Sequence, residues 1–286
     1  MSELIHERPG VYSTYDASTV VSAGQASRAI GVAAKASAGT EGEAVILTSY
    51  AAGVSAFGED ETPGMSTMLR LLFANGASTV AAVRVAEAGE VADYQAAFDA
   101  LARQDVQIMV CDSTDEAVHQ ALRTAVETAS ASRKERIGVV GGSGEEAAAL
   151  VEHAAALNSE RMVLVGPDVL DEAGETLSGA FAAAALAGVI ASNADPAVPL
   201  NGAEIRGLGG VSTDYGDNDI DLLVRGGVTP LESSGGVLSP VRGITTRTTT
   251  GDVTDTTWRE LTTILIVDDL IPTIRAALRS KFSRTK

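Results

Sequence analysis

Residues 222–282 read LLVRGGVTPLESSGGVLSPVRGITTRTTTGDVTDTTWRELTTILIVDDLIPTIRAALRSKF. Glycine pairs at 226–227 and 235–236 separate short β-branched runs, a pattern typical of strands joined by tight turns. The threonine-rich run 245–250 also favours extended backbone, because branched side chains restrict χ1. The pattern therefore predicts paired strands rather than the wall of a ligand pocket.

The end of the same segment predicts one more strand and then a helix. Residues 258–266 (WRELTTILI) are rich in types that favour strands. Asp269 can cap the helix that follows, and Pro272 then falls in its first turn, where a missing N–H is tolerated. The helix is predicted to have an apolar face and basic residues on its solvent side, which complement the C-terminal dipole. The apolar face consists of Ile271, Ile274 and Leu278. The basic residues are Arg275, Arg279 and Lys281.

Residues 28–192 alternate strand-like and helix-like runs without a break. Examples are the strand RAIGVAA at 28–34, the helix PGMSTMLRLLFANG at 63–76 and the strand STVAAVRV at 78–85. Such alternation predicts right-handed crossovers and an α/β fold, with a layered, mostly parallel sheet flanked by helices.

Composition and charge exclude several classes of protein. The formal net charge of -17 argues against nucleic-acid binding, which needs a basic surface. No apolar run is long enough to span a membrane, and a single cysteine, Cys111, excludes an intrachain disulfide. The charge is uneven, because residues 242–286 carry eight Lys and Arg against five Asp and Glu. This asymmetry favours attraction between copies; basic residues that only suit their own helix are the alternative.

Residues 1–25 are predicted to form an extended arm. The motif ERPGVY at 7–12 contains a proline that favours extended backbone before it. The run TYDASTVVSAG at 14–24 has too few apolar residues to anchor a buried strand. Such a segment can add to the edge of a sheet, including a sheet on another chain. A frayed terminus is the alternative.

Four stretches together resemble the tail sheath proteins of contractile phage tails, R-type bacteriocins and contractile injection systems. They are ERPGVY at 7–12, VIASNADPAVPLNGAEIRGL at 189–208, GGVTPLESSGGVLSPVRGITT at 226–246 and WRELTTILIVDDLIPTIRAALRSKF at 258–282. They occur in the same order over most of the chain, which makes the resemblance specific. It implies a subtilisin-like sheath core, although no catalytic triad maps onto this sequence.

The resemblance implies a structural subunit and not an enzyme. Such a subunit polymerises as stacked hexameric rings around a tail tube and contracts to drive the tube through a target cell envelope. The expected partners are other copies of the chain, the tail tube protein, and baseplate and tail terminator proteins, without nucleic acid or membrane insertion. The expected location is the tail of the virion or particle, after assembly in the bacterial cytoplasm.

The same resemblance implies a division of the chain into three parts. These are an arm for strand exchange between subunits at 1–25, an α/β core at 26–200, and a β-rich segment with a C-terminal helix at 201–286. The family generally continues past the position of Lys286 into a further strand-bearing segment. The expected self-assembly residues are Arg8, Pro9, Gly10, Val11, Tyr12, Arg275, Arg279 and Lys281.

The alternative is an α/β enzyme that binds a nucleotide or hydrolyses a substrate. GSGEEA at 142–147 fits the G-x-G-x-x-A pattern, and Asp168 follows at about the spacing of a dinucleotide site. However, the glutamates at 145–146 would repel a pyrophosphate, so a βα turn with closely packed glycines is the simpler interpretation. We predict no catalytic residue, cofactor or metal. The three histidines, His6, His119 and His153, are scattered along the chain. The run DYGDND at 214–219 lacks the features of a calcium loop.

Overall fold

The computed structural model of the protein describes residues 28–142, 144 and 146–282. The strands are β1 (Ile30–Lys35), β2 (Ala44–Leu47), β3 (Val80–Val85), β4 (Ile108–Cys111), β5 (Ile137–Gly141), β6 (Met162–Gly166), β7 (Val169–Leu170), β8 (Thr176–Leu177), β9 (Gly210–Val211), β10 (Val228–Ser234), β11 (Val237–Pro240), β12 (Thr249–Thr250) and β13 (Val253–Thr254). The helices are α1 (Tyr50–Phe57), α2 (Met65–Ala74), α3 (Val91–Ala102), α4 (Glu116–Ala131), α5 (Ala147–Leu157), α6 (Gly179–Ser192), α7 (Asp217–Arg225) and α8 (Leu261–Phe282).

Eight strands form one central sheet in the order β11-β10-β6-β5-β4-β1-β3-β2. The six inner strands run parallel. The outer strands β2 and β11 are antiparallel to their neighbours. The predicted layered, mostly parallel α/β sheet is therefore confirmed. Strands β10 and β11, which the glycine-punctuated sequence predicts as strands, join this sheet from the C-terminal third of the chain.

Helices cover both faces of the sheet. On one face α2, α6 and the start of α8 share a hydrophobic cluster with the sheet. On the other face α3, α4, α5 and α7 form the second cluster. None of the helices within the described ranges is both long and apolar enough to cross a membrane.

Helix α6 is the most deeply buried of the helices described. All its residues from Gly179 to Ala191 are buried, and most of them are alanine. At Gly141, the end of β5, an added Cβ would lie 1.8 Å from the carbonyl carbon of Gly179. The two backbones therefore touch with no side chain between them, which explains why the sequence places glycine on both sides of the contact.

The predicted strand at 258–266 is wrong, because residues from Leu261 onward belong to α8. Leu261, Ile264 and Leu265 follow helical spacing and are buried in the cluster that contains α2 and α6. Their burial outweighs the strand preference of the neighbouring threonines. Pro272 accordingly lies inside a long helix and not in the first turn of a short one.

Two further helices differ from the sequence expectations. Residues 222–225, predicted to be extended, end α7, and the carboxylates of Asp217 and Asp219 lie in its first turn rather than in a loop. There they complement the positive end of the helix dipole. Helix α1 was not predicted; Ser49 caps it by accepting a hydrogen bond from the N–H of Ala52 at 3.3 Å.

The contact between α6 and β5 can be tested by adding one methyl group. Gly141→Ala should lower the free energy of unfolding by about 3 kcal/mol or more, because the new Cβ meets rigid backbone rather than a movable side chain. The matched control is Gly210→Ala, where the nearest atom to an added Cβ is 3.9 Å away. Chemical denaturation measures both variants. Equal stabilities for the two would show that the backbones do not touch as described.

Candidate functional site

The carboxyl ends of β1 and β4 open into a polar crevice of about 860 Å³. From this point β3 and β2 lie on one side of the sheet and β5 and β6 on the other. Open α/β sheets bind ligands at such switch points. The crevice is therefore the place where an enzyme with this fold would have its active site. Its lining includes Lys35, Glu87, Tyr94, Asp112, Glu152 and His153.

The most buried carboxylate of the crevice, Asp112, already has protein partners. Its Oδ1 accepts a hydrogen bond from the hydroxyl of Tyr94 at 2.5 Å, and its Oδ2 accepts from the backbone N–H of Lys35 at 2.8 Å. Burial raises the pKa of Asp112, and burial together with the nearby carboxylate raises the pKa of Tyr94. The group thus ties α3 and β1 to the end of β4.

Two histidines form a stacked pair between α4 and α5, with ring centroids 4.9 Å apart. His119 Nε2 lies 2.8 Å from the carbonyl oxygen of Ser113, which can only accept a hydrogen bond, so Nε2 carries the proton. His119 Nδ1 is then the acceptor, and Nε2 of His153 donates to it at 3.0 Å. An Nδ1 that accepts a hydrogen bond carries no proton, so the His119 ring is neutral. This pairing was not foreseen, because the histidines are 34 residues apart in the sequence.

Burial is the main cause that lowers the pKa of both histidines. The pKa of His119 falls to about 4, although its bond to Ser113 and the charge of Asp115 act in the opposite direction. For His153 the charges of Glu116 and Asp115 also oppose the effect of burial on its pKa. The pair is thus arranged for packing at neutral pH rather than for accepting a proton there.

The glycine motif after β5 serves packing. A Cβ at Gly142 would come within 2.1 Å of the side chain of Leu150 on α5, so the glycine allows close approach. Asp168, the candidate ribose ligand, accepts the N–H of Gly179 at 2.7 Å and so caps the start of α6. Of the motif, residues 143 and 145 lie outside the described residues.

The remaining reactive side chains also lie in structural positions. Cys111 is fully buried, and burial raises the pKa of its thiol to about 12, as expected of a small core residue. Among the described residues no group of His, Cys, Asp and Glu is arranged to hold a metal ion.

The predicted self-assembly residues divide into two groups. Arg8, Pro9, Gly10, Val11 and Tyr12 lie outside the described residues. Arg279 and Lys281 are exposed in the last turn of α8. Arg275 was expected on the solvent side of the helix, but it pairs with Glu135 at 2.5 Å, and the side chain of Glu135 is only 8% exposed.

A second ion pair also fixes the orientation of α8. Arg161 and Asp268 are 2.5 Å apart, and both side chains are largely buried. Asp268 lies near the middle of α8 and Arg275 two turns later, so polar contacts hold this side of the helix against the body. Of the predicted apolar face, Ile274 and Leu278 are consequently turned outward and about half exposed, whereas Ile271 is of intermediate burial.

Five large apolar side chains, which we call the α8 ridge, occur at intervals of four residues along this helix. Their exposed fractions lie between 39% and 64%. The four-residue spacing can be read from the sequence, but Ile266, the first residue of the ridge, was assigned to the predicted strand at 258–266. The ridge consists of Ile266, Leu270, Ile274, Leu278 and Phe282.

The sequence of this chain is similar to those of phage tail sheath proteins. A sequence model of the phage tail sheath protein central domain matches residues 88–246. The tail sheath protein of Bacillus phage SP01 is 32% identical over 157 residues, which are 52% of this chain and 27% of that protein. The chain thus matches only about a quarter of that relative's length.

Solved structures share the fold. A sheath tail protein from Desulfitobacterium hafniense superimposes with a TM-score of 0.73 at 14% identity, over 96% of this chain and 83% of that chain. The helical sheath of the anti-feeding prophage in the contracted state gives a TM-score of 0.68 at 20% identity, over 96% and 77% of the two chains.

The histidine pair predicts an acid-dependent loss of stability. In an unfolded chain His119 titrates near pH 6.5, whereas in the fold its pKa is about 4. Between these values the unfolded chain binds more protons, so stability is full above pH 6.5 and falls as the pH approaches 4. The loss attributable to His119 is of order 3 kcal/mol over this range.

The test compares the intact protein with His119→Gln, which can still donate a hydrogen bond to Ser113 but does not titrate. Denaturant unfolding between pH 7 and about 4.5 should show a smaller loss for the variant. Parallel pH profiles for the two proteins would contradict the proposed neutral pair.

Proposed function

Because the chain belongs to the phage tail sheath protein family, we propose that it is a structural subunit of a contractile tail sheath. It polymerises as stacked hexameric rings around a tail tube, and contraction of these rings drives the tube through a target cell envelope. The observation that carries this proposal is the match of residues 88–246 to the sheath central domain. The fold shared with solved sheath proteins supports it.

The proposal includes the absence of enzymatic activity. At the switch point of the sheet, two of the polar groups are engaged within the protein. Asp112 is bonded to Tyr94 and to the backbone of Lys35, and His153 is bonded to His119. Movement in a sheath needs no hydrolysis, since an extended lattice can store energy as a metastable state.

The proposed partners are other copies of this chain, a tail tube protein, and baseplate and tail terminator proteins. The exposed α8 ridge and the basic residues beside it support a contact surface on the C-terminal helix. An apolar surface of this extent on a soluble domain is typical of an interaction site. The proposed location is the tail of a phage or related particle, with assembly in the bacterial cytoplasm.

We assign the three parts of the chain different tasks. Residues 26–200 form the rigid α/β body, and residues 201–286 complete it and contact neighbours. The pairing of β10 with β6 and the burial of Leu261 against the body support the second assignment. Residues 1–25, with Arg8 to Tyr12, act as an arm that adds a strand to a neighbouring subunit. Rigid bodies joined by such arms can rotate while their rings stay connected.

Deleting residues 1–20 should separate folding from assembly. The described body packs its core from residues 30 onward, so the truncated protein should unfold cooperatively at nearly the same temperature as the parent. It should fail to form large assemblies, because the linking strand is lost. Sedimentation velocity and thermal denaturation measure the two properties. Normal polymers from the truncated protein, or loss of its cooperative unfolding, would contradict the role of the arm.

A further inference from the structure

The α8 ridge has a complementary surface elsewhere on the same chain. A groove of about 670 Å³ runs between α3 and α4 on the outside of the opposite layer. Its lining combines five alanines and Phe98 with neutral polar side chains and with Asp99 and Lys134, and the small residues leave room for a row of larger side chains. We call this surface the α3–α4 groove; its alanines are Ala102, Ala117, Ala121, Ala125 and Ala129.

The central part of the ridge fits within the length of the groove. Residues four apart are displaced by about 40° around a helix, so Leu270, Ile274 and Leu278, which span about 80° and about 12 Å, form the part of the ridge that can enter one groove. The groove follows α4 from Ala117 to Ser132, about 22 Å. Side chains four residues apart form the rows that pack into grooves on other helices.

The charges at the two ends of each surface fix an orientation. The groove begins beside Asp115 and Glu116, and ends beside Arg133 and Lys134, all of them exposed. Helix α8 has the same order of charges along its ridge, from acidic at the start to basic at the end. The exposed carboxylate of Asp269 lies near the start of the ridge, and the basic residues Arg279 and Lys281 lie near its end. Opposite charges therefore meet at both ends only when the two helices run antiparallel.

We propose that the α8 ridge of one copy docks, antiparallel to α4, into the α3–α4 groove of a second copy. The inference rests on the proposed function, because it names a contact within the polymer. Two different surfaces of the chain meet in this contact, so every copy can use both and the association continues from copy to copy. The two ion pairs that hold α8 present the ridge before a neighbour arrives.

Disulfide trapping between separately purified full-length variants tests the contact. Each variant carries one added cysteine, and the native Cys111 is buried. Leu278→Cys on one protein should form a disulfide with Ala117→Cys or Ala121→Cys on the other, giving a product of twice the chain mass. Leu270→Cys should instead join Thr128→Cys, which lies about as far from Ala121 along α4 as Leu270 lies from Leu278 along α8. Each of these yields should exceed, at least fivefold, the yield with Val253→Cys, an exposed position outside the groove.

The opposite pairing distinguishes the orientations. If Leu278→Cys joins Ser132→Cys in preference to Ala117→Cys, the antiparallel arrangement is overturned. Yields equal to the Val253→Cys control overturn the inference altogether, whether or not the proteins form rings. Rings that form without the specific disulfide leave the proposed function standing, whereas a specific disulfide in a protein that never forms rings counts against that function alone.

Exchange of charges provides a second readout. Lys281→Glu in the ridge partner, or Glu116→Lys in the groove partner, should reduce the Leu278→Cys to Ala121→Cys yield several-fold at low salt. The two reversals together should restore it, because the pair of charges is again opposite. Yields that stay low in the combined variants would contradict the assigned orientation. Arg225→Glu, at an exposed site on α7, is the matched control and should change nothing.

Discussion

The close approach of α6 to β5 is the constraint on which the body of the protein depends. Gly141 and Gly179 bring two backbones into contact, and the alanines that follow keep the whole helix near the sheet. A helix this close leaves room mainly for small side chains, which accounts for the alanine-rich sequence of α6. Tight layers of this kind stabilise a rigid body and leave little apolar space for a ligand. The features available for function are therefore on the outside.

Electrostatic contacts decide what the outside presents. A helix usually buries its apolar side, but the second half of α8 is held by Arg161 with Asp268 and by Arg275 with Glu135. These pairs are partly buried, so they are screened less by salt than exposed pairs. The α8 ridge is left facing solvent in a single subunit. In the crevice at the carboxyl ends of the strands, by contrast, the central polar groups bond to one another.

The α/β core could be predicted from sequence because local and tertiary preferences agree there. Between residues 28 and 192, apart from α1 and the two-residue strands β7 and β8, the strands and helices form within a few residues of the expected positions. Near the C-terminus they disagree: Thr262 and Thr263 favour a strand, but burial of Leu261, Ile264 and Leu265 imposes a helix. The pair of Arg275 with Glu135 joins residues 140 positions apart, so no local pattern indicates it. For Arg8 to Tyr12 the assembly role stays a prediction.

We propose that this chain polymerises through its outer surfaces rather than acting on a bound substrate. Electron microscopy of the purified full-length protein is the decisive measurement. We expect sixfold rings, stacked tubes or longer polymers with a helical repeat. Discrete particles of one or a few subunits, unchanged at high protein concentration and low salt, would contradict it.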